Sequence, residues 1–329
     1  MTSCHPEQRE GSAVPHDTAD RRIRGLRPPK PPVDPYAPHG TLVEEERRPN
    51  GRHERALTIF LAGAECPFTC AFCDLWRYTI DGATPRGALP RQVEQALNVV
   101  GGASTPDRVK LYNASNFFDR RAVPVEDRPV LATMLRGFAG VTVESHASTV
   151  GDQTLAFAEL LDGSLEVAMG LETIHPAAMP QLNKRLDLSR FDDAARWLAS
   201  HDIDLRVFVL LGTPFVPVEE TVEWTVRSVE HAVAAGASVV SIIPVRGGNG
   251  EMERLQSLGS FVPPTLAQLE DALDRCLAFR SAAITADLWD IDRLATCDAC
   301  RGARAARLGR INLTGCAEPR VTCVGCEGA

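Results

Sequence analysis

From Ala56 onward, short apolar runs alternate with longer segments whose apolar residues recur at helical spacing. The runs at 57–61, 109–113, 141–145, 165–171, 205–212 and 239–244 predict strands. Segments 90–100, 128–138, 152–161, 190–200, 218–235 and 265–280 predict the helices between them. Ser189 and Asp152 are candidate N-caps, and Gly236 stands where a helix end favours glycine. Six strand-then-helix units predict a parallel sheet, because parallel strands need long crossover connections. An open doubly wound sheet and a curved barrel both satisfy this pattern. No Gly-x-Gly-x-x-Gly follows the first strand, which weighs against a dinucleotide-binding sheet.

The pattern fails at both ends of the chain, which predicts three parts. Residues 1–50 are rich in Pro, Arg, His and Glu, and 26–35 carry five prolines, so an extended or disordered arm is expected there. Arg21, Arg22, Arg24 and Arg27 are available on it to touch phosphate, but a solvated basic tail is the favoured reading. Residues 51–290 form the core, and 291–329 form a Cys-rich, metal-binding tail.

Charge and cysteine usage narrow the chemistry. With 35 basic and 43 acidic residues the net charge is −8, so no global positive field draws in nucleic acid. A local basic patch still suffices for RNA. No apolar run approaches the roughly 20 residues that cross a bilayer, and no signal peptide is read at the start of the chain, which predicts a soluble, cytoplasmic protein. Ten cysteines in such a chain read as metal ligands rather than disulfides. Cys4 and Cys276 are isolated; the others fall into two clusters.

The first cluster, Cys66-Pro-Phe-Thr-Cys70-Ala-Phe-Cys73, directly follows the first predicted strand. Three thiolates leave one iron of a four-iron cluster without a protein ligand, and an open metal position is what a reactive site needs. The C-x-x-x-C-x-x-C spacing, with the aromatic Phe72 before the last cysteine, resembles the radical S-adenosylmethionine (radical SAM) enzymes. The resemblance implies a 4Fe-4S cluster on Cys66, Cys70 and Cys73 that reductively cleaves S-adenosyl-L-methionine to a 5′-deoxyadenosyl radical. It also implies an electron donor such as ferredoxin or flavodoxin. The implied fold is α/β, a partial (β/α)6 TIM-like barrel, whose chemistry collects at the C-terminal ends of the strands. Segments 170–176, 182–186 and 210–215 are similar to one branch of the family. That branch contains the Elongator catalytic subunit, the tRNA methylthiotransferases and the radical subunit of archaeosine synthase.

Polar residues at strand tips are then candidates for the cosubstrate. After the second predicted strand, Asn113, Ser115 and Asn116 stand where many relatives carry a Gly-Gly-Glu-like segment; ordinary turn chemistry is the competing reading. In the third strand Thr142, Glu144 and His146 share one face, opposite Val141 and Val143. Glu172 closes the fourth strand, and the resemblance places a cosubstrate contact there. Arg206 lies in an apolar strand and needs an anionic partner, either the cosubstrate carboxylate or a neighbouring Asp or Glu. A glycine-rich loop at 244–250 offers backbone amides to a ligand.

The second cluster contains two C-x-x-C pairs, Cys297/Cys300 and Cys323/Cys326, with Cys316 between them as a spare. Such pairs fit a four-thiolate zinc site, and a second iron–sulfur cluster is equally compatible with thiolates. Arg301, Arg304, Arg307 and Arg310 recur every three residues, so a helix here would carry a basic stripe suited to RNA phosphates. The resulting expectation is a radical SAM enzyme acting on a tRNA base or a small molecule. A non-catalytic iron–sulfur electron carrier or a zinc-dependent RNA-binding protein is the alternative.

Overall fold

The computed structural model describes residues 16–100 and 105–326, which leaves Cys4 and the first fifteen residues of the arm outside the description. Eight strands form one sheet in sequence order. They are β1 (Gly40–Arg47), β2 (His53–Phe60), β3 (Arg108–Tyr112), β4 (Gly140–Glu144), β5 (Ser164–Glu172), β6 (Asp204–Leu211), β7 (Val239–Pro244) and β8 (Ala283–Ala286). β1 pairs antiparallel with β2, and every later pair is parallel. The helices are α1 (His16–Leu26), α2 (Ala88–Val100), α3 (Asp127–Met134), α4 (Asp152–Ala158), α5 (Leu188–Ser200), α6 (Thr221–Ala234), α7 (Glu251–Ser257), α8 (Leu266–Cys276) and α9 (Asp298–Thr314). The six expected strands are β2 to β7, and six of the helices lie between or after them as read. β1, β8, α1, α7 and α9 are additions.

The sheet curls into a nearly closed barrel. In a flat sheet β1 and β6 would stand about 24 Å apart, at roughly 4.8 Å per strand. Instead, Arg206 of β6 donates to Glu46 of β1 at 2.8 Å, and the rings of Tyr112 (β3) and Phe208 (β6) meet at 6.3 Å. β1 and β8 are the two ends of the strand order. Helix α9 packs against both, and its Asn312 accepts from Ala286 N and donates to Ala286 O, both at 2.8 Å.

Alternation along the strands separates two environments. Leu57, Ile59, Val109, Leu111, Val141, Val143, Val167, Val207, Val209 and Ile242 face outward and join the helices in one buried apolar cluster. The opposite positions face the lumen, and near the N-terminal ends of the strands they are charged rather than aliphatic. Thr58, Lys110, Thr142 and Glu166 lie side by side in register. Glu166 accepts from Arg206 Nε at 2.8 Å, Arg48 at 2.7 Å and Thr142 Oγ1 at 3.0 Å. Lys110 donates to Glu44 at 2.8 Å and Glu46 at 2.6 Å. Barrels are usually filled there by branched aliphatic residues; this one is closed by ion pairs. Burial raises the Glu46 carboxyl, but Arg206 and Lys110 outweigh it and hold the group down at about 2.

The arm therefore differs from expectation where it is described. Residues 16–26 are helical and 40–47 form a strand, because their charges find specific partners inside the fold. The caps shift as well. Asp187, not Ser189, caps α5 by accepting from Arg190 N at 2.8 Å, and Gly151 precedes α4, with Asp152 as its first residue. Gly236 follows α6 at φ +96°, the left-handed turn that glycine tolerates. No helix among the described residues is long and apolar enough to cross a membrane.

Candidate active site at the mouth of the barrel

The loop at 66–73 leaves the C-terminal end of β2, so its three cysteines sit at the mouth of the lumen. Four contacts fix this loop. Ala71 N donates to Leu182 O at 2.9 Å. Asn249 Nδ2, from the glycine-rich loop, donates to Ala71 O at 2.8 Å and to Cys73 O at 3.2 Å. Asn183 Nδ2 donates to Thr69 O at 2.9 Å. The glycine-rich loop thus serves the cysteine loop through Asn249, while its Gly248 and Gly250 amides donate to Glu253.

Cys66, Cys70 and Cys73 are free, half-buried thiols that line one cleft with Arg27, Glu65, Phe68, Trp76 and Ala114. Burial pushes all three thiols up, Cys73 to about 12 and Cys70 well above its usual value. Without metal they are protonated, and a metal must displace those protons to bind. Lys184, which ion-pairs with Glu172, is the cation whose charge opposes that rise at Cys66 and Cys70. Burial alone would lower the Lys184 ammonium, but Glu172 and then Cys70 outweigh it and raise it. Gly170 makes this pair possible, because a Cβ there would collide with both Glu172 Oε1 and Lys184 Nζ.

The strand-three tip has the feature most indicative of a ligand. Asn113 is fully buried, yet neither its side-chain oxygen nor its nitrogen has a hydrogen-bond partner, and the buried Ser115 hydroxyl also has none. Buried polar atoms are normally satisfied, so an orphaned amide and hydroxyl beside the cysteine cleft fit a polar ligand such as S-adenosylmethionine. Asn116 is engaged otherwise, accepting from His146 N at 2.7 Å while its Nδ2 lies 3.6 Å from Cys66 Sγ.

Backbone strain gathers at the same face. Ala114 (φ +53°), Asn183 (+55°), Arg185 (+59°) and Phe215 (+69°) are left-handed without being glycine and lie beyond the C-terminal ends of β3, β5 and β6, and Glu172 (+68°) is the last residue of β5. Such residues cost about 1–3 kcal/mol each and persist where surrounding contacts hold them.

Other expected residues lie elsewhere. Arg206 is the third residue of β6, about 16 Å below the strand tip at 3.3 Å per residue. Of the two partners open to it, the structure gives the carboxylates, Glu46 and Glu166. Phe72 turns away from the cleft into a separate apolar cluster with Ile23, Ala71, Leu210, Met252 and Phe261. Glu144 accepts from Asn113 N at 3.0 Å, and burial pushes its carboxyl up to about 7. His146 is pushed down to about 3 by burial and then by Lys184, and its ring nitrogens are engaged by Ser148 and Lys184 O. It is a neutral, satisfied group whose ring lies 4.2 Å from that of Phe68, tilted by 33°.

In the tail, the Sγ atoms of Cys297, Cys300, Cys323 and Cys326 all lie within 4.8 Å of one another. Cys297 and Cys323 stand 3.9 Å apart, and Cys300 and Cys326 3.6 Å. Cys316 is exposed and outside the group. The four arginines of α9 form no free stripe. Arg301 pairs with Asp292, Arg304 with Glu270, Arg307 with Asp274 and Arg310 with Glu318, at 2.5 to 3.2 Å.

Sequence reasoning missed the roles of Lys184 and Asn249, and it read Arg27 as a phosphate contact rather than as a wall of the cleft. Lys184 had a signal in the segment 182–186, but nothing in the chain showed that its ammonium returns to the cysteines.

No family model matches the chain. An uncharacterized protein of Methanocaldococcus jannaschii is 23% identical over 171 residues, which are 50% of this chain and 47% of that protein. The chain thus spans about half the length of the curated relative it matches. Among solved structures it is similar to the archaeal Elp3 of Methanocaldococcus infernus, at 12% identity and a TM-score of 0.45, over 68% of this chain and 58% of that one. It is also similar to coproporphyrinogen III oxidase from Escherichia coli, a radical SAM enzyme, at 12% identity and a TM-score of 0.46, over 78% of this chain and 54% of that one. At these values the likenesses assign no activity.

Proposed function

We propose that the chain is a radical SAM enzyme. The observation that carries this reading is the convergence of three thiols at a barrel mouth beside a buried amide, Asn113, whose two polar atoms have no partner. Cys66, Cys70 and Cys73 would hold a 4Fe-4S cluster with one iron left open, which supplies the electron for reductive cleavage of S-adenosylmethionine to a 5′-deoxyadenosyl radical. Asn113 and Ser115 bind polar groups of the cosubstrate. Lys184 places a positive charge beside the thiolates, and Glu172 holds that ammonium in place. Glu144, a carboxyl poised near neutrality just inside the mouth, faces the lumen where a substrate enters and accepts or returns a proton there. The ion pairs below it close the far end of the barrel to water.

The substrate we favour is a small molecule. The α9 arginines that would have favoured tRNA are each taken by a carboxylate of this chain. A small iron–sulfur or flavin protein, such as ferredoxin or flavodoxin, supplies the electron, and a reducing cytoplasm suits the exposed cleft. In the tail we assign a single zinc ion rather than a second cluster. Tetrahedral zinc at 2.3 Å from each sulfur sets thiolates about 3.8 Å apart, which matches the 3.9 and 3.6 Å separations.

The test is anaerobic reconstitution with iron and sulfide, addition of dithionite and S-adenosylmethionine, and assay of 5′-deoxyadenosine, with Cys70→Ala as control. Product from the native chain alone supports the reading. A fully loaded native protein that neither binds nor cleaves S-adenosylmethionine refutes it in favour of an electron carrier.

A further inference from the structure

Helix α1 lies across the mouth, and one of its carboxylates joins two loops that are far apart in sequence. Asp20 is buried at 9% exposure. Its Oδ1 accepts from the hydroxyl of Thr69, inside the cysteine loop, and from Asn183 Nδ2 at 2.7 Å. Its Oδ2 accepts from Arg185 at 2.5 Å. Asn183 and Arg185 are the two left-handed residues that flank Lys184. Burial opposes ionisation of Asp20, but the hydrogen bonds from Thr69 and Asn183 and the charge of Arg185 outweigh it and hold the carboxyl below its usual value.

We propose that Asp20 is a positioning residue of the active site. It ties the cysteine loop, through Thr69, to the strained 183–185 turn, through Asn183 and Arg185, and so holds Lys184 and the three thiols in one arrangement. The proposal rests on the radical SAM reading of the mouth.

The geometry separates this role from simple docking of the helix. α1 has anchors of its own: Ile23 is 2% exposed in the cluster with Ala71 and Met252, Arg22 pairs with Glu251 at 3.0 Å, and Arg27, directly after the helix, pairs with Glu65 at 2.7 Å. Removing the Asp20 carboxylate leaves the helix attached and loosens the turn, which keeps its direct bonds to the cysteine loop at Thr69 and Ala71 but loses the carboxylate that gathers Thr69, Asn183 and Arg185. Arg185 then loses its carboxylate acceptor, and Asn183 keeps only its bonds to Thr69, so the two left-handed residues that flank the lysine are held less firmly.

The experiment uses the full chain with Asp20→Ala and Asp20→Asn. Hydrogen–deuterium exchange of the metal-free protein is followed in peptides covering 66–73, 182–186 and 16–26. The affinity of the reconstituted protein for S-adenosylmethionine is measured by equilibrium dialysis, with iron content determined on the same samples. In Asp20→Ala, exchange is expected to quicken by about tenfold in both loops together while α1 is unchanged. Its dissociation constant is expected to rise about tenfold at native iron content. Asp20→Asn keeps the size and the Oδ1 acceptor and loses the charge facing Arg185. It should show the same pattern at smaller amplitude, and it decides the matter if the alanine variant does not fold. Faster exchange in α1 alone, or in only one loop, overturns the proposal. So does native affinity in a variant whose two loops have both loosened. Failure of the native protein to bind S-adenosylmethionine would refute the proposed function, while the exchange data would still decide whether Asp20 couples the loops.

Discussion

Replacing Glu144 by glutamine should stabilise the metal-free protein at alkaline pH and leave it unchanged in acid. Burial raises this carboxyl from 4.5 to about 7 in the folded state, against hydrogen bonds from the Asn113 and Ala114 amides that lower it. A group whose folded pKa lies above its unfolded value contributes stability below the unfolded pKa and loses it as pH rises through the folded one. The native protein therefore loses stability between about pH 4.5 and 7 on account of Glu144. At about 1.4 kcal/mol for each step of one in pKa, the loss reaches about 3 kcal/mol above pH 8. Glutamine keeps an oxygen that can accept from Asn113 N at the present 3.0 Å and carries no charge to desolvate. At roughly 2 °C per kcal/mol for a chain of this size, the variant should melt about 6 °C higher at pH 8.5 and within a degree of native at pH 4.5. The assay is thermal melting by circular dichroism across that range, without iron. Parallel melting curves for the two proteins from pH 4.5 to 8.5 would refute the reasoning, because Glu144 would then carry no folding penalty when charged.

Four further outcomes follow from other parts of the molecule. Glu166→Ala should cost about 3 kcal/mol, read as a lowered melting temperature, because it removes the buried carboxylate shared by Arg206 and Arg48 and leaves them to Glu46 and to the more distant Asp204 and Glu54. The partner carboxylate Glu46, held at about 2, adds stability that is present above pH 4.5 and is lost as pH falls toward 2. Asn113→Ala should leave iron loading intact and weaken S-adenosylmethionine binding at least tenfold, while keeping or raising the melting temperature. Truncation removes two buried polar atoms that have no partner in the fold. Cys300→Ser should abolish the stoichiometric zinc measured by elemental analysis and shift the amide signals of α9, with no loss of iron from the first cluster.

Much of the barrel was legible because its outward faces keep a strict alternation. Val141 and Val143 against Thr142 and Glu144, for instance, announce a strand with two different environments. The same rule hid β1. Its Glu44-Glu45-Glu46-Arg47 reads as a solvated charge run, and only the fold shows that Lys110 and Arg206 receive Glu46. Arg206 was recognised as needing an anion, but period-two spacing does not tell the closed end of a lumen from its open end. β8, four residues with Ala at both ends, carries too little apolar bulk to stand out. At the site, the three cysteines were fixed by spacing alone. The role of Asp20 was invisible because its partners are 49 to 165 positions away, and no local pattern encodes a contact over that distance.

The uncompleted ring of the barrel bears on how this protein behaves at high concentration. A sheet whose terminal strands do not pair with each other keeps two rows of backbone donors and acceptors that another molecule can adopt. Here the short β8 edge is occupied by the amide of Asn312, and α9 lies over both terminal strands. That helix starts at Cys297 and Cys300, so the four-thiolate site anchors the cover of an aggregation-prone seam. Oxidation or chelation at the tail would then show first as self-association through β1 and β8, and only afterwards as unfolding.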